Sequence, residues 1–171
     1  AAAATATLES SANAGGFSTE LIYDAGNGTD ALLAQVVKDN LAAVGIDVAL
    51  TGLETLAFLD RAFTNDADMV LWSFCAISPD ESDPLGWIGG TGYLFTGMDQ
   101  TEFDAQRTAY LTTVSSTVKH DAVVAIQDEG YEQAAIIALA ETPTLHAVAS
   151  DLKGFAPAPW GLYYFDTISQ G

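Results

Sequence analysis

Positive charge is what this chain has least of. Lys38, Arg61, Arg107, Lys119 and Lys153 face 23 carboxylates, a formal net charge of -18 over 171 residues. Nucleic acid and anionic membrane surfaces both demand clustered Lys and Arg, so neither fits as a partner. Cysteine is almost as scarce. Cys75 alone excludes an internal disulfide and a thiolate metal cluster, and leaves the redox compartment open. No apolar run approaches the ~20 residues that a membrane span requires, which points away from insertion by this chain. The opening AAAATATLESSANAGG lacks the basic start and apolar centre of a signal peptide. Residues 1–16 read instead as a low-complexity lead-in or linker. A G-x-S-x-G elbow is missing, and GNG and GGTG lack the lysine and helix start of a phosphate loop. His120 and His146 have no nucleophile near them in sequence, so both read as structural or solvent-facing. The chain does not read as an enzyme, and no cofactor is called for.

What is present is a folder. Hydrophobic residues make up 49% of the chain, too many for a disordered acidic tail and enough for one core spanning 17–171. The acidity fits a high-salt habitat or an acidic secreted protein. Scarce lysine and the excess of Asp over Glu lean toward the first.

Periodicity then sets the order of elements. FSTELIY (17–23) alternates as a strand does, and DAGNGTD follows as a turn. ALLAQVVKDNLAAVG places Leu33, Val37, Leu41 and Val44 on one helical stripe, with Thr29 or Asp30 as cap and Gly45 as left-handed stop. IDVAL (46–50) is a second strand, 54–66 a second helix, and ADMVLW (67–72) a third strand. The unbroken run Met69–Trp72 suits a strand covered on both faces. Strand, helix, strand, helix, strand is the pattern of an open α/β sheet, which binds ligands beyond the carboxyl ends of its strands.

Farther along, Thr101 with Asp104 resembles a capping box. The helix behind it carries Phe103, Tyr110, Leu111, Val114 and Val118 on one side. Asp121 opens another helix to about Leu139, residues 142–150 look extended, and Tyr163–Phe165 is strand-like.

The segment WSFCAISPDESDPLGW (72–87) lies where the third strand ends. Asp80, Glu81 and Asp83 could hold a hard cation, yet they lack the spacing and central glycine of a calcium loop. An acidic surface accounts for them equally. Asp80 and Asp83 could serve as a hydrolytic pair only if a fold separated their roles. Cys75 reads as a partly buried, inert thiol. Trp72 and Trp87 fit core aromatics under a loop and a cleft wall alike.

Several stretches resemble a known family. ALLAQVVKDNLAAVGIDVALTGLE is similar to the helix-strand segment of the peptide/nickel-type (family 5, dipeptide/oligopeptide-binding) solute-binding proteins of ABC importers. ADMVLWSF matches that family's strand ending in tryptophan, and DESDPLGW its D-x-x-[DE]-P element. VVAIQDEGYEQAA and TPTLHAVASDLKGFAPAP resemble its late helix and ending, so the likeness covers residues 17 to 166. Two departures stand out. Cys75 occupies the position, three after the tryptophan, where the family's amine-binding aspartate is common. Counting back from Asp83-Pro84 lands that role on Asp80 instead. Family members also have two lobes with the cleft between them, and this chain corresponds to one, the later.

The resemblance implies an α/β fold with an open mixed sheet flanked by helices, one lobe of a type II periplasmic-binding-protein-like fold. It implies an extracytoplasmic solute receptor, extracellular or periplasmic, whose full-length form is lipid-anchored. Its expected partners are a small peptide or other solute, the missing partner lobe and an ABC permease. The ligand-binding residues expected are Asp80 for a ligand amine and Trp72, Phe74 and Cys75 as cleft wall, with Trp87, Tyr93 and Phe95 as weaker wall or lid residues. Asp83 fixes the loop. The rival readings are a self-associating assembly protein and an acidic hydrolase.

Overall fold

The computed structural model describes residues 2–73, 100–141, 143, 145–158 and 163–171. The chain divides into two compact units, Ala1–Phe74 and Cys75–Gly171.

In the first unit the elements are α1 (Ala2–Glu9), β1 (Phe17–Asp24), α2 (Gly28–Ala42), β2 (Ile46–Leu53), α3 (Thr55–Phe63) and β3 (Met69–Leu71). Half of the expected lead-in is therefore helical. The strands form a parallel sheet of order β2-β1-β3, with Phe17 opposite Ile46 and Leu21 opposite both Leu50 and Met69. Alternation along β1 sends Leu21 and Tyr23 to one face and Ile22 to the other. Leu21 joins Val48, Leu71 and Ala34 under α2, with Leu33, Val37 and Leu41 packed around them. Ile22 joins Phe58 and Ala62 under α3. The helices lie on opposite faces because the chain steps from β1 to β2 one way and from β2 back to β3 the other. Burying each large aliphatic side chain contributes roughly 1.5–3 kcal/mol, so the middle of β1 is the anchor of this unit.

Two local details differ from expectation. The cap of α2 is Asn27, whose side-chain oxygen accepts from the N–H groups of Thr29 (3.0 Å) and Asp30 (3.4 Å). Thr29 and Asp30 are already inside the helix, which starts two to three residues earlier than the sequence suggests. Val70 is 39% exposed, so β3 is not covered on both faces over its whole length. Gly45 adopts the expected left-handed backbone, at φ +91°. Gly16, also left-handed at φ +85°, passes so close that a side chain there would collide with the Gly45 carbonyl.

In the second unit, α4 (Gln100–Thr112) and α5 (Ser116–Glu132) form a helix pair. Phe103, Tyr110, Ala122, Val123 and Ile126 make its core, with Ala135 against it. The expected stripe is split: Phe103 and Tyr110 are buried, whereas Leu111, Val114 and Val118 are exposed. The break falls at residues 113–115, and Ser115, not Asp121, caps the second helix through a bond from the Val118 N–H (3.4 Å). Thr101 lies within the first turn of α4, so it does not act as a capping box there. His120 sits inside α5. Antiparallel pairing joins β4 (Leu152–Lys153) to β5 (Ser169–Gln170). Tyr163 forms an isolated bridge with Pro157 instead of opening a strand at 163–165. His146 lies edge-on to Phe155 (5.5 Å) and Tyr163 (5.6 Å), in an aromatic cluster.

Candidate functional site

Parallel strands point their carboxyl ends one way, so β1, β2 and β3 finish together at Asp24, Leu53 and Leu71. Both helices of the sheet start at this edge. From the neighbouring strands β1 and β2 the chain leaves toward opposite faces, the arrangement that opens a crevice at a sheet edge.

Asp24 links the exits of β1 and β2. Its Oδ1 accepts from the Gly26 N–H (2.8 Å), and its two oxygens share the Thr55 hydroxyl at 3.2 and 3.0 Å. The Ala25 N–H donates to the Leu53 carbonyl at 2.8 Å, so the end of β1 is tied to the start of α3. The Tyr23 ring lies across Gly52 on the facing strand, where a side-chain carbon would come within 2.8 Å of the tyrosine oxygen. Glycine at 52 therefore leaves room for an aromatic at the rim.

The second acid of this edge is Asp30, in the first turn of α2 and 3% exposed. The Ser73 hydroxyl, two residues past β3, donates to its Oδ1 at 2.5 Å. Between them in sequence, Trp72 turns the other way. Its half-buried ring packs edge-on against Phe58 (5.2 Å) and Phe63 (5.6 Å) of α3. So the chain leaving β3 is held on both faces, by Trp72 on α3 and by Ser73 on α2.

Electrostatics differ along the sheet. Glu20, in the middle of β1, accepts from Arg61 Nη2 at 2.6 Å, from Arg61 Nη1 at 3.2 Å and from the Thr51 hydroxyl at 2.7 Å. The hydrogen bonds from Arg61, then the one from Thr51, hold its pKa down at about 2, from 4.5. The same carboxylate raises the pKa of Arg61. At the carboxyl edge, Asp24 and Asp30 are held by hydroxyl and amide donors among the described residues.

Of the residues expected from sequence, Trp72 is described and lies at this edge. Phe74, Cys75, Asp80, Asp83, Trp87, Tyr93 and Phe95 lie outside the described residues, as does Glu81. Asp24, Thr55 and Ser73 were not singled out from sequence, and Asp30 only as a helix cap. A signal for Asp30 existed: it stands one helical turn before Ala34, on the inward stripe of α2, where a charge is out of place. Among the described residues, no group of three or more His, Cys, Asp or Glu could hold a metal ion. None of their helices is long and apolar enough to cross a membrane.

No protein-family model and no curated protein matches the sequence. Solved structures do. An oligopeptide-binding protein of clavulanic acid biosynthesis superposes on 99% of this chain and 33% of its own, with a TM-score of 0.86 and 19% identity. A dipeptide-binding protein from Pseudoalteromonas sp. SM9913, solved with Met-Leu, covers 98% of this chain and 35% of its own, at a TM-score of 0.76 and 18% identity. The periplasmic binding protein DppA from Helicobacter pylori, an ABC transporter-associated protein solved with the peptide STSA, covers 77% of this chain and 27% of its own, at 0.65 and 16%. The fold is that of the type II periplasmic-binding proteins. It agrees with the family resemblance in the sequence, and this chain spans about a third or less of the length of these three binding proteins.

Proposed function

We propose that this chain supplies one lobe of a solute-binding protein for an ABC importer, and that its cargo is a short peptide. The observation that carries this is the superposition of nearly the whole chain on an oligopeptide-binding protein at a TM-score of 0.86. The ligand lies along the carboxyl edge of the parallel sheet. Asp80 pairs with the ligand ammonium in a charge-assisted hydrogen bond. Trp72, Phe74 and Cys75 form the wall, with Trp87 and Tyr93 beyond them. The extended ligand main chain aligns with backbone groups just after Trp72, as in strand addition, which recognises any peptide while tolerating its side chains. Asp24, which meets no cation among the described residues, suits a cationic end at this edge. The partner lobe, the permease and an extracytoplasmic, lipid-anchored setting belong to the same reading.

Calorimetry on the natural gene product tests it. Di- to pentapeptides with free amino termini should bind, and Asp80→Ala should weaken them about tenfold or more, the usual loss when a charged hydrogen bond goes. Equal affinity of the two proteins removes Asp80 from the site. Absence of binding to any peptide removes peptide as the cargo.

One observation favours a second reading, self-association. Leu111, Tyr131, Ile137 and Leu145 in the second unit are all exposed. Sedimentation at several concentrations separates the two, because a simple lobe stays monomeric.

A further inference from the structure

We propose that Asp30 is a positioning residue: through its hydrogen bond to Ser73 it fixes the backbone at which the chain leaves β3, the surface along which a ligand main chain aligns. The ligand part of this rests on the peptide-binding reading above.

Three features support it. A carboxylate in the first turn of a helix favours the helix dipole, but it does so from an exposed position as well as from a buried one. Asp30 is 3% exposed, and burying a carboxylate is costly unless it is hydrogen-bonded, so the dipole alone does not account for its place. Its partner is also not local. Ser73 is 43 residues away, and the bond joins the start of α2 to the end of β3 at the carboxyl edge. Finally, Ser73 itself is exposed, so what Asp30 holds in place is reachable from solvent. Trp72 anchors the same exit from the opposite face, against Phe58 and Phe63. A short O–H···O bond to a carboxylate is among the stronger hydrogen bonds and narrows the choice of Ser73 rotamer and backbone.

Ser73→Ala removes the hydroxyl from an exposed position, so the variant should fold. Two measurements then separate the tie from the ligand. Amide hydrogen exchange on the 171-residue chain should rise about tenfold at Trp72 and Ser73, with β1 and α3 unchanged. Peptide affinity of the natural gene product should fall about tenfold. Ser73→Thr, which keeps the hydroxyl, should restore both. Wild-type exchange in Ser73→Ala overturns the tie. Faster exchange with unchanged affinity for a bound peptide overturns the positioning role and leaves a structural one. Should the wild type bind no peptide, the cargo reading fails and takes the ligand part with it, while the exchange result still decides the tie.

Discussion

The middle of the sheet and its carboxyl edge treat their acids in opposite ways. In the middle, Glu20 meets Arg61 in a two-pronged ion pair, and Arg61 also binds the Asp66 carbonyl and carboxylate at 2.6 and 3.2 Å. Asp68, just before β3, accepts from the Glu20 N–H at 2.9 Å and so continues the strand pairing with a side chain. At the edge, Asp24 and Asp30 meet only hydroxyl and amide donors among the described residues. In a chain with five cations, one of the first unit's two, Arg61, is set against the middle of the sheet. The contrast teaches that charge pairing here holds the scaffold, while the acids at the edge rest on hydroxyl and amide donors.

The comparison can be broken at several points. The largest effect belongs to what both regions stand on. Ile22→Ala should cost about 2–5 kcal/mol in urea unfolding, because the site beneath α3 is filled on every side. A loss under 1 kcal/mol would mean that β1 is not the anchor.

Next is the ion pair. Glu20 has a lower pKa folded, about 2, than its ordinary 4.5. Its stabilisation is therefore fully present above pH 4.5 and is lost as pH falls from there toward 2. Glu20→Gln should show a shallower loss of melting temperature than wild type across that window, and parallel curves would remove the pair from the scaffold.

Smaller still, Asn27→Ala should cost about 1 kcal/mol by freeing the first N–H groups of α2, with Asn27→Asp retaining most of it. Finally, raising salt from low to molar concentration should lift the melting temperature by screening self-repulsion across the whole acidic chain. A flat response counts against the saline-habitat reading.

The repeating part of the fold is written locally, which is why it can be read. Leu21, Ile22, Val37, Val48 and Phe58 report their faces through periods of two and 3.6, so β1-α2-β2-α3-β3 emerges nearly at its true boundaries. The helix pair is harder. Val114 and Val118 continue an apolar spacing across Thr113–Ser115, yet they are exposed, because the chain turns there and takes them away from Phe103 and Tyr110, while Leu111, next to Tyr110 on α4, faces outward. Edge chemistry is harder again. Asp30 and Ser73, or Asp24 and Thr55, meet only after the strands are laid side by side, and spacing along the chain carries no trace of that. Trp72 shows the limit on a single residue: its place at the end of β3 is legible, but which face it turns to depends on α3. Asp80, to which the proposal gives the ligand amine, stands on the family resemblance alone.

Gly16 and Gly45 cross immediately before the two strands that open opposite each other, Phe17 and Ile46. The crossing is a zero mark from which both strands are measured. Extra residues ahead of Gly16 leave the count untouched, so a fusion or a permuted terminus is tolerated there. One residue inserted between Gly16 and Leu21 would swap which of Leu21 and Ile22 looks at each helix, and with them the contacts that β1 makes to α2 and α3.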